Sequence, residues 1–154
     1  VGQMLARLLV LEARESVLAD PHSERRAQAA AQGAVAVEEL EPGAFSLVLE
    51  AVGRPETWAA AVRAAAPGGT VVLVGGCPAA EAPLPAAPLH YDEVDVLGAF
   101  HHDRAEVDRA LDLLATGTVD WQALAGPAIA LDELGEALRR RSAAARKLIV
   151  DPRR

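Results

Sequence analysis

Apolar positions along this chain change their period in a regular order. Phe45 to Val52 is a nearly unbroken run rich in Val and Leu, with Glu50 as its one acid, and it predicts a strand buried on both faces. Gly53 ends the run and Pro55 suits the first turn of a helix. Trp58, Val62 and Ala66 then recur at helical spacing until Pro67-Gly68-Gly69 stops it. A second apolar run, Thr70 to Val74, closes on Gly75-Gly76. Strand, helix and strand this close together predict a right-handed parallel crossover covered by helices. Ligands of such sheets lie at the carboxyl ends of the strands, here Val52-Gly53 and Val74-Gly75-Gly76. Glycine lets a flat or phosphorylated ligand approach the backbone there, although the same glycines could serve only to turn the chain.

The remaining pattern extends this architecture in both directions. Val1 to Leu11 has apolar residues on most sides and no cap before it, which predicts a buried helix whose beginning lies upstream. Glu15 to Asp20 is a short strand ending on an acid and barred from continuing by Pro21. Ser23 is the expected N-cap of a helix through Ala31, with Gly33 as its stop. Ala34 to Val37 is a brief strand, and an acidic loop turned by Pro42-Gly43 follows. Pro78, Pro83, Pro85 and Pro88 predict an extended, helix-free crossing segment. Val94 to Phe100 is a further strand. Asp103 caps a helix carrying Val107, Ala110, Leu111 and Leu114 on one face and ending near Gly117. Val119 to Leu124 is a short apolar turn, Pro127 to Leu131 a strand, Asp132 to Arg141 a helix with Asp132 as its N-cap, and Lys147 to Val150 a last strand.

Composition narrows the function. The chain has 154 residues, enough for one domain with a core; 51% are hydrophobic but only 3% aromatic, which suits tightly packed alanine-rich helices. A net charge of -7 gives no global pull toward nucleic acid or an anionic membrane. The one basic cluster, Arg139-Arg140-Arg141 with Arg146 and Lys147, reads as a solvated helix face near a C-terminus. Apolar runs are too short and broken to span a membrane. No signal peptide is evident, and the single cysteine, Cys77, excludes an internal disulfide and any multi-cysteine zinc site. A reducing cytoplasm is the expected location.

Three places then converge on one chemistry. Gly2 opens the first helix, where a dinucleotide fold puts the last glycine of its Gly-x-Gly-x-x-Gly turn. Asp20 ends the next strand, 18 positions beyond Gly2, close to the spacing of about 20 at which an acid holds a ribose diol. The glycine-bearing strand ends are the third. Asp20 could instead cap or solubilise its strand. As a carboxylate it would repel a 2'-phosphate and so favour NAD, while Arg25 and Arg26 nearby leave NADP open.

Taken with VG before a helix, VLADPHSERR, FSLVLEAVG, PGGTVVLVGG, VDVLGAFHH, RALDLLATGTVDWQALAGPAIALDELGEAL and the closing ARKLIVDP, the chain resembles end to end the second half of a medium-chain dehydrogenase/reductase of the zinc-containing alcohol and polyol dehydrogenase family. The resemblance implies an α/β fold, a Rossmann-like doubly wound parallel sheet lacking its first strand. Residues 1–102 would form an incomplete dinucleotide-binding domain, and 103–154 would return to a catalytic lobe that began upstream. By resemblance, Asp20 binds the adenosine ribose and Arg25 lies beside it. Val52 and Gly53 line the cofactor cleft, Val74, Gly75 and Gly76 with Ala99 and Phe100 border the nicotinamide, and Lys147 approaches the pyrophosphate. It implies NAD, with NADP possible, and a small alcohol or polyol as substrate. Zinc and its ligands would belong to a lobe upstream of Val1, so this stretch alone should be inactive. It also implies a homodimer or tetramer joined through the outer strand Val94 to Phe100.

Departures from the family pattern carry their own expectations. With the central strand of the order 3-2-1-4-5-6 absent, the strands Glu15 to Asp20 and Phe45 to Val52 must either pair directly or leave backbone groups unsatisfied. Glu12-Ala13 stands where a glycine usually ends the first helix. His101-His102 has no third ligand nearby and reads as an exposed turn. His90 to Glu93 is expected to rim the substrate cleft or a subunit contact, and Cys77 to be a small apolar residue. Two further readings stay open: a class I methyltransferase, whose strand-helix-strand region is similar but whose chain ends in an antiparallel hairpin, and a non-catalytic dimerising module. A zinc-free quinone reductase relative is a variant of the first reading.

Overall fold

The structure, a computed structural model, describes residues 1–120, 125–140 and 147–154. Trp121 to Leu124 of the expected apolar turn, and Arg141 and Arg146 of the basic cluster, lie outside the described residues. In chain order the elements are α1 (Gly2–Leu11), β1 (Val17–Ala19), α2 (Ser23–Ala30), β2 (Val35–Val37), β3 (Phe45–Glu50), α3 (Pro55–Ala64), β4 (Ala65–Leu73), α4 (Ala86–Tyr91), β5 (Asp95–Gly98), α5 (Arg104–Ala115), β6 (Ala125–Ile129), α6 (Leu134–Arg139) and β7 (Lys147–Val150).

Every strand pair is parallel: β1 with β2, β3 with β4, β4 with β5, and β6 with β7. Of the two outcomes expected for the strands flanking the absent central one, direct pairing does not occur. β1–β2 and β3–β4–β5 are separate sheets among the described residues. Helix α1 spans the interval by touching both β1 and β3.

The core lies between α3 and the three-stranded sheet. Val62 and Val71 are completely buried there, with Val48, Ala61, Ala64, Ala65 and Val94 around them and Leu40, Phe45, Leu73, Leu84, Leu89 and Val96 at the margin. The sequence makes this layer thin. Alanine costs no side-chain entropy in a helix and keeps the helix axis low over the sheet, while the β-branched valines fill the pleat beneath it.

Several expectations are corrected. α1 is not buried: only Ala6 is, and Met4 and Leu8 stand 45% and 37% exposed, with no layer over them among the described residues. β3 stops at Glu50 and is not buried on both faces; it is an edge strand among the described residues, with Ser46 and Leu47 exposed. His22, not Ser23, is the N-cap of α2. Ala66 belongs to β4 rather than α3, since the residue before Pro67 is driven out of helical geometry. The proline-rich crossing does contain a helix, α4. Pro85 sits at its N-cap and Pro88 within its first turn, where the missing N–H would have had no helical partner. The apolar side of α5 lies open, with Leu111 57% and Leu114 43% exposed. α6 starts at Leu134 behind Glu133, whose carboxylate accepts the Ala130 N–H at 2.8 Å, so Asp132 is not its cap.

Candidate functional site

Within each sheet the strands are parallel and their carboxyl ends share one side, and the contacts of α1 with the turns after β1 and β3 join those ends into one rim. At one end of it, Asp20 follows β1, and its backbone N–H bonds to the carbonyl of Val37, the last residue of β2, at 3.1 Å. One carboxylate oxygen accepts the His22 N–H at 2.9 Å, a turn that Pro21 favours, and the other faces the Arg25 guanidinium at 3.5 Å. Arg26 donates to the Asp20 carbonyl at 2.8 Å and faces Glu38, tying the tips of β1 and β2 together. The expected acid and its cationic neighbour are therefore adjacent.

The rim continues through the start of α1. Gln3 in its first turn donates to the Arg25 carbonyl at 3.3 Å and to the Gln28 side chain at 3.2 Å, fixing α1 against α2. Gly2 lies against the tip of β3: a methyl there would stand 4.0 Å from the Ala51 Cβ. Lys147 and Arg25 lie near enough to the start of α1 to act on it electrostatically. Residues far apart in sequence thus gather positive charge where the N–H groups opening α1 already favour an anion.

At the tips of β3 and β4 the backbones meet. Gly53 has φ of +83°, and a Cβ on it would lie 2.8 Å from the Gly76 carbonyl carbon and 2.9 Å from that of Gly75. A Cβ on Gly75 would fall 2.7 Å from the Val52 nitrogen. Both positions therefore require glycine for the approach itself, beyond any role in turning the chain. Gly76 is open, with nothing within 4 Å of such a methyl. Under these turns lies Glu50, 5% exposed, whose carboxylate accepts the N–H groups of Val52 at 2.8 Å and Gly53 at 3.1 Å. Sequence reasoning noted Glu50 as an acid in an apolar strand and gave it no role. That isolation was the available signal, since a buried carboxylate needs donors nearby. Gln3 carried no comparable signal.

At the far end of the rim, the Ala99 N–H bonds to the Leu73 carbonyl at 3.1 Å, which sets Ala99 beside Val74. Phe100 is 87% exposed and its ring rests on that of His101 at 3.9 Å. The structure so brings together Gly2, Asp20, Arg25, Val52, Gly53, Val74, Gly75, Gly76, Ala99 and Phe100 along one edge, with Lys147 near enough to act on the start of α1. His90 to Glu93 does not join them. The Asp92 carbonyl accepts the Gly68 N–H at 2.7 Å near the amino-terminal end of β4, which sets that segment away from the rim. Among the described residues, no group of three or more His, Cys, Asp or Glu stands close enough to hold a metal ion, and no helix is long and apolar enough to cross a membrane.

Comparison with known proteins bears on this rim. The family model described as zinc-binding dehydrogenase matches residues 1–116. Over 97% of its length the chain superposes with a TM-score of 0.86 and 28% identity on 49% of a protein from Sinorhizobium meliloti 1021 described as a zinc-binding dehydrogenase and bound to NADP. An alcohol dehydrogenase from Thermus sp. ATN1 is similar at TM-score 0.84 and 26% identity over 97% of this chain and 49% of that one. L-idonate 5-dehydrogenase from Escherichia coli K-12 shares the fold at TM-score 0.83 and 24% identity, over 96% and 46%. The chain spans about half the length of the solved structures it matches.

Proposed function

We propose that this chain, which belongs to the zinc-binding dehydrogenase family, forms the coenzyme-binding part of an NAD(P)-dependent alcohol or polyol dehydrogenase. The observation that carries the proposal is the rim itself: an acid paired with arginine, a cationic helix start and a glycine-lined cleft lie in that order along one row of strand tips. This order fits a dinucleotide read from sugar to pyrophosphate to nicotinamide. Asp20 offers carboxylate oxygens to ribose hydroxyls. Gly2, the N–H groups opening α1 and Lys147 face the pyrophosphate. Gly53, Gly75 and Gly76 present bare backbone to a flat ring, with Val52, Val74, Ala99 and Phe100 as its apolar border. The bound nicotinamide supplies a site that takes up or gives back hydride. What this chain's own residues do is orient that ring and exclude water from beside it.

Residues 1–102 are proposed as the dinucleotide-binding unit and 103–154 as the segment leading away from it toward a catalytic lobe. Any zinc chemistry would use ligands that the described residues do not assemble. β5 is an edge strand with Leu97 54% exposed, which supports its proposed use in joining a homodimer or tetramer. The methyltransferase alternative predicts an antiparallel hairpin at the chain end. Instead β6 and β7 are parallel, and neither the family match nor the solved structures support it.

The test uses the full-length gene product. NADH and NADPH are titrated by fluorescence, with S-adenosylmethionine as the competing ligand class, and Asp20→Ser is compared with the wild type. Binding of a nicotinamide dinucleotide is expected, with the preference of the variant moved toward NADPH by about tenfold. An unchanged preference removes the role assigned to Asp20. Failure of both dinucleotides to bind removes the function.

A further inference from the structure

One residue holds both strand tips that frame the cleft. The Glu50 carbonyl accepts the N–H groups of Val74 and Gly75 from β4 at 2.8 and 2.9 Å. Its side chain accepts those of Val52 at 2.8 Å and Gly53 at 3.1 and 3.2 Å. Four backbone donors, two from each turn, therefore end on a single buried residue, and Gly75 packs so closely that a methyl on it would fall 2.8 Å from the second carboxylate oxygen. Nothing about the apolar run Phe45 to Val52 requires an acid at this place, because the buried residues of the core beside it are all Ala or Val. A burial this complete is tolerated when peptide N–H groups replace the lost water.

We propose that Glu50 is a positioning residue for the coenzyme: its carboxylate fixes the turn after β3, while its backbone carbonyl joins that strand to the tip of β4, before any ligand arrives, so that the glycine-lined cleft is preformed. The inference rests on the dinucleotide reading of that cleft. Glu50 itself stays below the surface and touches no ligand. Its effect is conveyed through the peptides of Val52 and Gly53, which turn their N–H groups inward while the Val52 side chain remains 63% exposed. Locking a turn in its bound shape removes the ordering cost that binding would otherwise carry.

Glu50→Gln is the discriminating change. The amide is nearly isosteric, but its NH2 group would confront a peptide N–H where the second carboxylate oxygen now accepts. In the full-length gene product, coenzyme Kd and KM are expected to rise about tenfold, while kcat at saturating coenzyme stays within about threefold. If wild type binds NADH or NADPH and a folded Glu50→Gln variant shows less than about a threefold rise in Kd, the positioning role is overturned and the functional reading stands. If wild type binds neither dinucleotide, both fall. Should Glu50→Gln fail to fold, hydrogen exchange of the unliganded wild type decides. Protection of the Val52 and Gly53 amides equal to that of β3 supports the preformed turn, and loop-like exchange that slows only on adding coenzyme overturns it.

Discussion

Replacing Gly53 by alanine tests the site at its tightest point. The added methyl meets two costs. A residue with a Cβ at φ of +83° loses about 1 to 2 kcal/mol relative to glycine. The methyl would also overlap the carbonyl groups of Gly75 and Gly76, which are main-chain atoms and cannot swing aside as a flexible side chain would. Overpacking of this kind costs about 1 to 3 kcal/mol. Some relaxation is available at Gly76, which is open on its outer side, so about 2 to 5 kcal/mol is expected in all. Set against a total stability of about 5 to 15 kcal/mol, that is a large loss. Gly76→Ala is the internal control, because it introduces the same methyl on the open side of that contact and should fall within about 0.5 kcal/mol of wild type. Urea unfolding followed by far-UV circular dichroism gives both values, provided the m-value is unchanged. If Gly53→Ala cost less than about 1 kcal/mol, or if Gly76→Ala cost as much as Gly53→Ala, the close approach of the two tips would be wrong.

Two further substitutions probe local geometry away from the cleft. Helix α1 ends with Ala13 at φ of +54°, the Ala13 N–H on the Val10 carbonyl and the Arg14 N–H on that of Leu9, an arrangement that glycine usually closes. Ala13→Gly should therefore stabilise by about 0.5 to 1 kcal/mol after the greater freedom of unfolded glycine is subtracted, raising Tm by about 1 to 4 °C by calorimetry; a fall in Tm would refute the helix end. Asp103 accepts the Glu106 N–H at 2.8 Å while Glu106 accepts the Asp103 N–H at 2.9 Å, so Asp103→Ala should cost about 1 kcal/mol in denaturant, and no loss would mean that α5 begins elsewhere.

The parts of this molecule that could be read from its residues are those governed by local rules. Continuous apolar runs gave β3 and β4, though β3 stops at Glu50 and β4 begins at Ala65, ahead of the Pro67-Gly68-Gly69 expected to precede it, and the Asp20-to-Pro21 step gave the turn that carries the acid to the rim. Asp103 announced a cap, and the cap is there, completed by Glu106. What escaped depended on neighbours distant in sequence. The exposure of α1 and of one edge of β3 follows from which layers lie beside them, and an amphipathic pattern does not say whether its partner is present. α4 escaped because proline was weighed by its number rather than by its position within a first turn. The grip of Glu50 on both tips arises only when two strands 20 or so residues apart are laid side by side, as a parallel crossover requires. Lys147 could be placed near the start of α1 by resemblance alone, since no local rule links a last strand to a first helix.

The alanine-floored layer under α3 reaches beyond stability. Because the helix rides on methyl groups, the height of its axis also sets how closely the ends of β3 and β4 can draw together. Enlarging Ala61 or Ala64 would jack the helix upward and pry the mouth apart from beneath. A random screen for lost coenzyme affinity should accordingly recover bulky replacements at these hidden alanines, none of which any ligand could touch.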